Sequence, residues 1–307
     1  MRSLVLGYAC INNTLAANDV VVNRSMMKRT LVLKGISYAS ALALKNVTDL
    51  LAVLKWNIAH EISFYRMSSD MFPWMSEYEL HDLPDLAEIS KALAIIGKLV
   101  ADHNHRLTFH PGPFNVLASP NGSVISKTIK ELRQHGEIMD MMSLARNPFA
   151  KINIHVGGAY GDKINAMKRF VTNFEKLPDS ARLRLTIEND DKATMFSVND
   201  LMTIHSETGI PIVFDYLHHQ FCTGGLHEEE AFHLACSTWP ANIPPVVHYS
   251  SAKRKFEDAK AVEAAHADYI YEPINTYGKN VSVMLEAKAK EDAILRYRKE
   301  FVEITTN

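Results

Sequence analysis

Short apolar runs that end on an ionisable or polar residue recur along this chain, separated by stretches of helical periodicity, and very few folds can accommodate them. The clearest is Leu183–Asp190, Leu-Arg-Leu-Thr-Ile-Glu-Asn-Asp. It alternates apolar and polar residues as a strand does, then delivers Glu188 and Asn189 at its C-terminal end. Arg106–His110, Lys151–His155, Ile212–Asp215, Val246–His248 and Val281–Glu286 repeat the design. A buried strand has no use for an ionisable tip, because desolvating such a group costs several kcal/mol unless it is paired or bound to a metal. Repeated over six strands, the pattern describes a site.

Strands are predicted over Leu4–Tyr8, Ile62–Met67, Leu107–His110, Ile152–His155, Leu183–Ile187, Ile212–Asp215, Val246–His248 and Val281–Leu285. Helices are predicted between and after them, over Ser40–Lys55, Leu86–Asp102, Ser126–Ala145, Asn165–Phe174, Val198–Thr208, Glu228–Ala235, Lys255–Ala265 and Lys288–Lys299. Strict alternation of this kind reads as a single α/β (β/α)8 TIM barrel over residues 1–307, with its site at the C-terminal ends of the strands. A chain of 307 residues can bury a core of that size without staples. Its three cysteines have no paired spacing, which favours a reducing compartment, and cytoplasm is the expected location. No apolar run is long enough to span a membrane, and the apolar part of Met1–Tyr8 is too short for a signal peptide. A net charge of −2 gives no global basic field, so any nucleic-acid contact has to come from a local cationic groove.

The strand endings carry the chemistry. His110, His155, Glu188, Asp215, His218, His248, His266 and Glu286 offer nitrogen and oxygen ligands with no cysteine among them, a set suited to Zn2+, Mn2+ or Fe2+. Asp215 at a strand tip and His218 one turn later can serve neighbouring ions, and a central Glu188 can bridge two. Two such ions clamp the attacking and leaving oxygens of a phosphoryl transfer, or equally the adjacent hydroxyls of a sugar. The residues alone therefore point to metals and leave the reaction open. His60, His81, His103, His105, His135, His205, His219, His227 and His233 lie outside the strands and are expected at the surface. Lys253-Arg254-Lys255, just past the seventh strand, reads as a solvated charge cluster, with phosphate binding as the alternative.

Longer motifs narrow the choice. Leu6-Gly7-Tyr8-Ala9-Cys10-Ile11-Asn12, the run Tyr65–Pro73, Phe109-His110-Pro111-Gly112, Ile154-His155-Val156-Gly157-Gly158, Ile187-Glu188-Asn189-Asp190, Phe214–His219, Val247–Ser251, His266–Tyr269 and Met284–Lys288 occur in one order over nearly the whole chain. Together they resemble the UV damage endonucleases. The resemblance implies a TIM barrel that nicks DNA immediately 5′ of pyrimidine dimers and (6-4) photoproducts, leaving 3′-hydroxyl and 5′-phosphate ends and starting an excision repair that needs no ATP. It implies that the eight residues above hold up to three divalent ions, usually manganese, with zinc or another divalent ion as the alternative. It assigns Tyr8 and Glu188 to catalysis, Tyr8 and Asn12 to the damaged strand, and the Pro113-Phe114 turn to a wedge in the duplex. The implied partner is damaged double-stranded DNA, bound by a monomer.

The chain departs from the family pattern at four places, one being a segment from His266 to Glu286 shorter than the pattern implies. Pro113-Phe114 stands where Gln-Tyr is common, and Glu77 or a neighbour where a histidine often follows the Phe-Pro loop. Val246 stands where a lysine, carboxylated in part of the family, is expected two residues before the seventh-strand histidine. A sugar isomerase or epimerase of the same barrel type, or a DNA-damage binder without activity, are the rival functions.

Overall fold

The computed structural model describes residues 4–302. The expectation of one domain over residues 1–307 extends past this range at both ends, and the leader reading at Met1 lies outside it. Eight parallel strands close into a barrel in chain order: β1 (Val5–Ala9), β2 (Phe64–Met67), β3 (Arg106–Phe109), β4 (Ile152–Ile154), β5 (Leu185–Glu188), β6 (Ile212–Asp215), β7 (Val246–Tyr249) and β8 (Ser282–Leu285). Closure is made by β1 against β8, with Val5 beside Ser282 and Tyr8 beside Leu285. All eight predicted strands are present to within a few residues at either end. No helix of the described residues is long and apolar enough to cross a membrane.

The period-two alternation of a strand sends neighbouring side chains to opposite sides of the barrel wall. Leu6, Tyr8, Tyr65, Leu107, Phe109, Ile152, Ile154, Leu185, Ile187, Ile212, Phe214, Val247, Val283 and Leu285 belong to the large outer core beneath the helices. Ala9, Phe64, Val213, Val246 and Met284 form a separate, smaller cluster inside the barrel. Gly7 shares their side of β1, where a Cβ would lie 2.6 Å from the Phe64 ring. At the floor of the barrel, the Arg106 guanidinium donates to the carbonyls of Phe149, Pro148 and Pro244 at 2.8, 2.9 and 2.9 Å. Phe64, Phe149 and Trp239 pack around it. Burial pulls its pKa down to about 9, and carbonyl acceptors rather than a carboxylate stabilise its charge.

The helices Leu86–Asp102 and Val198–Thr208 have the predicted limits, and the second ends on Gly209 at φ 72°, a left-handed cap. Others differ. The predicted Ser40–Lys55 is the interior of Lys28–Ala59, which is broken at Gly35. The predicted Ser126–Ala145 starts at Gly122, because Asn121 caps it by accepting from Ser123 N–H at 2.9 Å. A short helix, Asp179–Arg182, is followed by a turn at Leu183 and Arg184 that delays β5 to Leu185. Lys255–Ala265 is not a helix: only Lys253–Phe256 is helical. The chain then doubles back, with Lys253 N–H on Ala265 O at 2.7 Å and Ala267 N–H on Ser251 O at 2.9 Å, and too little length is left for a longer helix. That return carries His266 to the barrel mouth. Lys288 and Ala289 likewise send their N–H groups to Ala267 and Asp268, so the last helix begins at Glu291, runs to Tyr297 and continues as a π-helical stretch over Arg298–Val302.

Three histidines expected at the surface are buried: His105, His135 and His219. Each lies on an inward side. His135 meets the Phe109 ring edge-on at 4.7 Å, and His219 packs on Phe214. Burial holds His105 and His135 down at about 4, so both are neutral core residues.

Candidate metal centre

The inward positions of the strands become polar toward their C-terminal ends. On β4 the run Lys151-Ile152-Asn153-Ile154-His155 places Lys151, Asn153 and His155 on one side by alternation alone. All eight expected ligands converge at the barrel mouth. Glu188, 1% exposed, is the hub. Its Oε2 is 3.1 Å from His110 Nε2, and its Oε1 lies 3.1 Å from His248 Nδ1 and 3.4 Å from His218 Nδ1. His248 Nδ1 also lies 3.3 Å from Glu286 Oε1, and His266 Nδ1 is 3.6 Å from Glu286 Oε2. The imidazoles follow one another round the mouth, with ring centres 5.5 Å apart for His110 and His155, 5.7 Å for His155 and His218, and 6.4 Å for His218 and His266.

Two triads, His110–His155–Glu188 and Glu188–Asp215–His248, bring one ligand atom from each member within 4.8 Å of the others. Glu188 is common to both. Several of these atoms are near one another without bonding: Glu188 Oε1, Asp215 Oδ2 and His248 Nδ1 are buried and have no hydrogen-bond partner. Buried polar atoms left this way cost about 1–3 kcal/mol each. Lone pairs aimed into one shared space fit cations.

Surrounding groups fix how the ligands face. His218 Nδ1–H meets the Asn189 carbonyl at 2.9 Å and His266 Nδ1–H the Glu286 carbonyl at 2.9 Å, which leaves Nε2 of each ring for a ligand. Asp215 accepts from His218 N–H at 2.8 Å, so one carboxylate oxygen caps the short helix Tyr216–Phe221 and the other stays free. Asn189 ties the tips of β5 and β6 together, donating to Asp215 O at 3.0 Å and accepting from Asp215 N–H at 2.8 Å. The Asn153 amide donates to Glu188, and its carbonyl accepts from Thr186 at 2.7 Å. The Arg66 guanidinium pairs with Glu286, and Asp190 lies 3.0 Å from His155. Lys151, fully buried, brings Nζ to 3.5 Å from His248 Nε2. Sequence reasoning missed Arg66, Lys151, Asn153 and Asp190 as members of the site. Alternation on β2 and β4 carried the signal for the first three.

Buried carboxylates and imidazoles set one another's charge here. Burial alone would raise the Glu188 carboxyl, but His248 and His155 hold it well below the usual range. Burial also works against charge on His155 and His218. Glu188 with Asp190 carries the first up to about 9, and Asp215 with Glu188 the second up to about 9. Burial pushes His110 down to about 4. Burial likewise raises Asp215, with His218 opposing.

A cleft of about 330 Å3 lined by Pro111, Pro113, His155, Asp190 and His218 opens onto the centre. Beside it, Phe114 stands 87% exposed, and with Trp74, Lys28 and Lys127 it lines a second depression of about 410 Å3. Tyr8 and Asn12, expected against the damaged strand, are instead buried. Tyr8 lies on the outer side of β1, its hydroxyl donating to Asn57 at 2.7 Å and accepting from Asn12 at 2.9 Å. As they stand, neither can touch a duplex. The cations of Lys253-Arg254-Lys255 are matched by Asp268, Glu263 and Glu272 at 3.3, 2.9 and 2.9 Å, which leaves that cluster no surplus charge for a phosphate.

Comparison with known proteins agrees with this geometry. The family model described as UV-endonuclease UvdE matches residues 4–306. The UV DNA damage endonuclease of Bacillus thuringiensis subsp. konkukian is 34% identical over 266 residues, covering 85% of this chain and 82% of that one. The UV-damage endonuclease of Schizosaccharomyces pombe is 33% identical over 94% of this chain, which spans about half (49%) of that longer protein. The crystal structure of SacUVDE superposes with a TM-score of 0.85 at 31% identity, covering 99% of both chains.

Proposed function

Because the chain belongs to the UvdE family of UV-damage endonucleases, we propose that it is a metal-dependent enzyme that nicks double-stranded DNA immediately 5′ of UV photoproducts. Support comes above all from the eight convergent ligands, with Glu188 shared between two triads. His110, His155, Glu188, Asp215, His218, His248, His266 and Glu286 would hold up to three divalent ions, with manganese expected. When bound, such ions supply an activated water and offset the charge of the leaving 3′ oxygen.

The chain's own residues do the rest. Glu188, kept ionised by its histidines, bridges the two halves of the centre. Asn189, Asn153 and Arg66 hold Asp215, Glu188 and Glu286 in place, so little reorganisation is needed as charge develops on the phosphoryl and leaving oxygens. Tyr8 and Asn12 act through their hydrogen bonds, setting the loop after β1. Pro113 fixes φ in the turn and Phe114 occupies the stack that a weakly paired lesion gives up. The chain works as a single barrel domain and as a monomer. Its three unpaired cysteines suit a cytoplasmic setting.

Incubating irradiated and plain plasmid with the protein, with manganese or with a chelator, tests this. Nicks confined to irradiated plasmid with metal are expected. Equal nicking of both plasmids, or nicking in chelator, would overturn it.

A further inference from the structure

Between Asp19 and Asp49 the sequence contains no acidic residue, while Arg24, Lys28, Arg29, Lys34 and Lys45 all fall there. On a chain of net charge −2 this is a local surplus of positive charge of the kind a polyanion needs. Arg24 is committed to Asp49 at 2.6 Å and Lys28 to Glu77 at 3.2 Å. Arg29, Lys34 and Lys45 are exposed and have no ion pair among the described residues; Lys34 Nζ lies 4.2 Å from the centre of the Tyr38 ring.

The same stretch presents uncovered aliphatic surface. The helix Lys28–Ala59 is kinked at Gly35, φ 71° and ψ −174°, and its first buried residue is Ala39. Ahead of the kink, Leu31 packs on the core. Val32 and Leu33 stand 79% and 84% exposed, and Met27, just before the helix, 57%. Apolar patches rimmed by charge mark interaction surfaces. Distances place this one beside the turn that carries Phe114. The Trp74 indole N–H donates to the Met26 carbonyl at 2.7 Å, and Lys28 Nζ lies 5.7 Å from the centre of the Trp74 ring. Lys28, Trp74 and Phe114 line one depression of about 410 Å3. Asp70, Glu77 and Glu131 line it too, which disfavours phosphates inside it, so phosphate contact falls to Arg29 and Lys34 outside.

We propose that Met27–Lys34 is a second duplex-holding element, with Val32 and Leu33 lying against the sugars of the minor groove and Arg29 and Lys34 on the flanking phosphates. Aliphatic side chains flanked by cations suit that groove. A second copy of this chain fits poorly, because it would set Arg29 and Lys34 against their own counterparts with no carboxylate nearby. The choice of DNA rests on the endonuclease reading above. The element reads duplex rather than damage, so its effect should be the same on plain and irradiated DNA, unlike that of Phe114.

The double variants Val32→Ser/Leu33→Ser and Arg29→Gln/Lys34→Gln are compared with wild type. Measured are affinity for plain duplex over a range of salt, single-turnover cleavage of irradiated duplex at saturating protein, thermal midpoint, sedimentation, and pelleting with phosphatidylserine–phosphatidylcholine vesicles. Val32→Ser/Leu33→Ser should bind plain duplex about tenfold more weakly at every salt concentration, less than full burial of a valine and a leucine would contribute. Arg29→Gln/Lys34→Gln should flatten the dependence of log affinity on log salt by about two, roughly 0.9 for each phosphate released. Both should cleave at the wild-type rate once saturated and melt at the wild-type temperature. Affinity within about threefold of wild type together with an unchanged salt slope overturns the proposal. So does a wild type that sediments as a dimer, or pellets with vesicles, when Val32→Ser/Leu33→Ser loses that behaviour and keeps its duplex affinity. If wild type fails to nick irradiated DNA, the endonuclease reading falls, and plain-duplex affinity and its salt slope still decide this element.

Discussion

Loading the metal-free centre should expel protons, and the structure says how many. A ligating imidazole must be neutral. His155 and His218 are held up at about 9, so near pH 7.5 both are charged before metal arrives. His110, down at about 4, is already neutral, and Glu188 is already ionised. Filling the centre near pH 7.5 should then release about two protons from His155 and His218 together, and near pH 9 about one, since each of these imidazoles is half-charged there. The assay is anaerobic calorimetric titration with Mn2+ in buffers of different ionisation enthalpy at each pH. The same charges act on folding. A pKa raised in the folded state gives stability that is complete below pH 6.5 and lost as pH rises through 9. The thermal midpoint of the metal-free protein should therefore fall between pH 7 and pH 9.5. The metal-loaded protein, whose imidazoles are neutral throughout, should show little of that fall. Release of under ~0.5 proton near pH 7.5, or no decline toward pH 9, would mean these imidazoles are neutral before metal binds and would refute the reasoning.

Glu188→Gln should leave the fold intact by circular dichroism and abolish nicking of irradiated plasmid, because an amide cannot bridge two cations; wild-type-like nicking would end the bridging assignment. Phe114→Ala should weaken binding to irradiated duplex by about 1–3 kcal/mol, the worth of one stacked base. At 87% exposure the ring supports little packing, so the melting temperature should not move; equal losses on plain duplex would remove the wedge role. Val246→Lys puts a second lysine into an interior that already holds Lys151, and it should destabilise by about 1–3 kcal/mol in denaturant titration and alter the metal dependence of cleavage. The wild type should not be stimulated by bicarbonate, and a strong rise in nicking would show that some other lysine is carboxylated.

The barrel was legible because its signal is repetitive. Eight apolar runs and their polar ends each say little, yet their order leaves one architecture. Ligand positions were legible for the same reason, since a residue at a strand tip is placed by the strand. What stayed hidden depends on backbone pairing between distant segments. The residues after β7 carry enough Ala and Val to mimic a helix, and only the antiparallel return that sets His266 beside Ala252 shows otherwise. His135 and His219 looked like surface groups because a histidine in a helix does not say which side it faces, and His105 because it stands in the connection just before β3. Tyr8 was placed near DNA by its motif, whereas alternation on β1 directs it to the outer core, where Asn57 accepts its hydrogen bond.

Val246 and Lys151 show how a position-by-position reading and a spatial one part company. Read along the chain, β7 lacks the lysine expected two residues before its histidine, and Val246 there joins the apolar cluster inside the barrel. Read across the barrel, a lysine nitrogen does reach that histidine: Lys151, at the start of the β4 motif, its pKa drawn well down by burial, ends with Nζ 3.5 Å from His248 Nε2. In a closed barrel the inward residues of different strands share one small volume. A polar group can therefore serve the same ligand from more than one strand, provided another strand gives up the space. Lys151 also pairs its nitrogen with the ring atom facing away from Glu188 and Glu286, so His248 Nδ1 stays directed at both carboxylates, at 3.1 and 3.3 Å. The orientation of the seventh-strand ligand in this chain thus depends on the fourth strand, a link that neither motif carries alone.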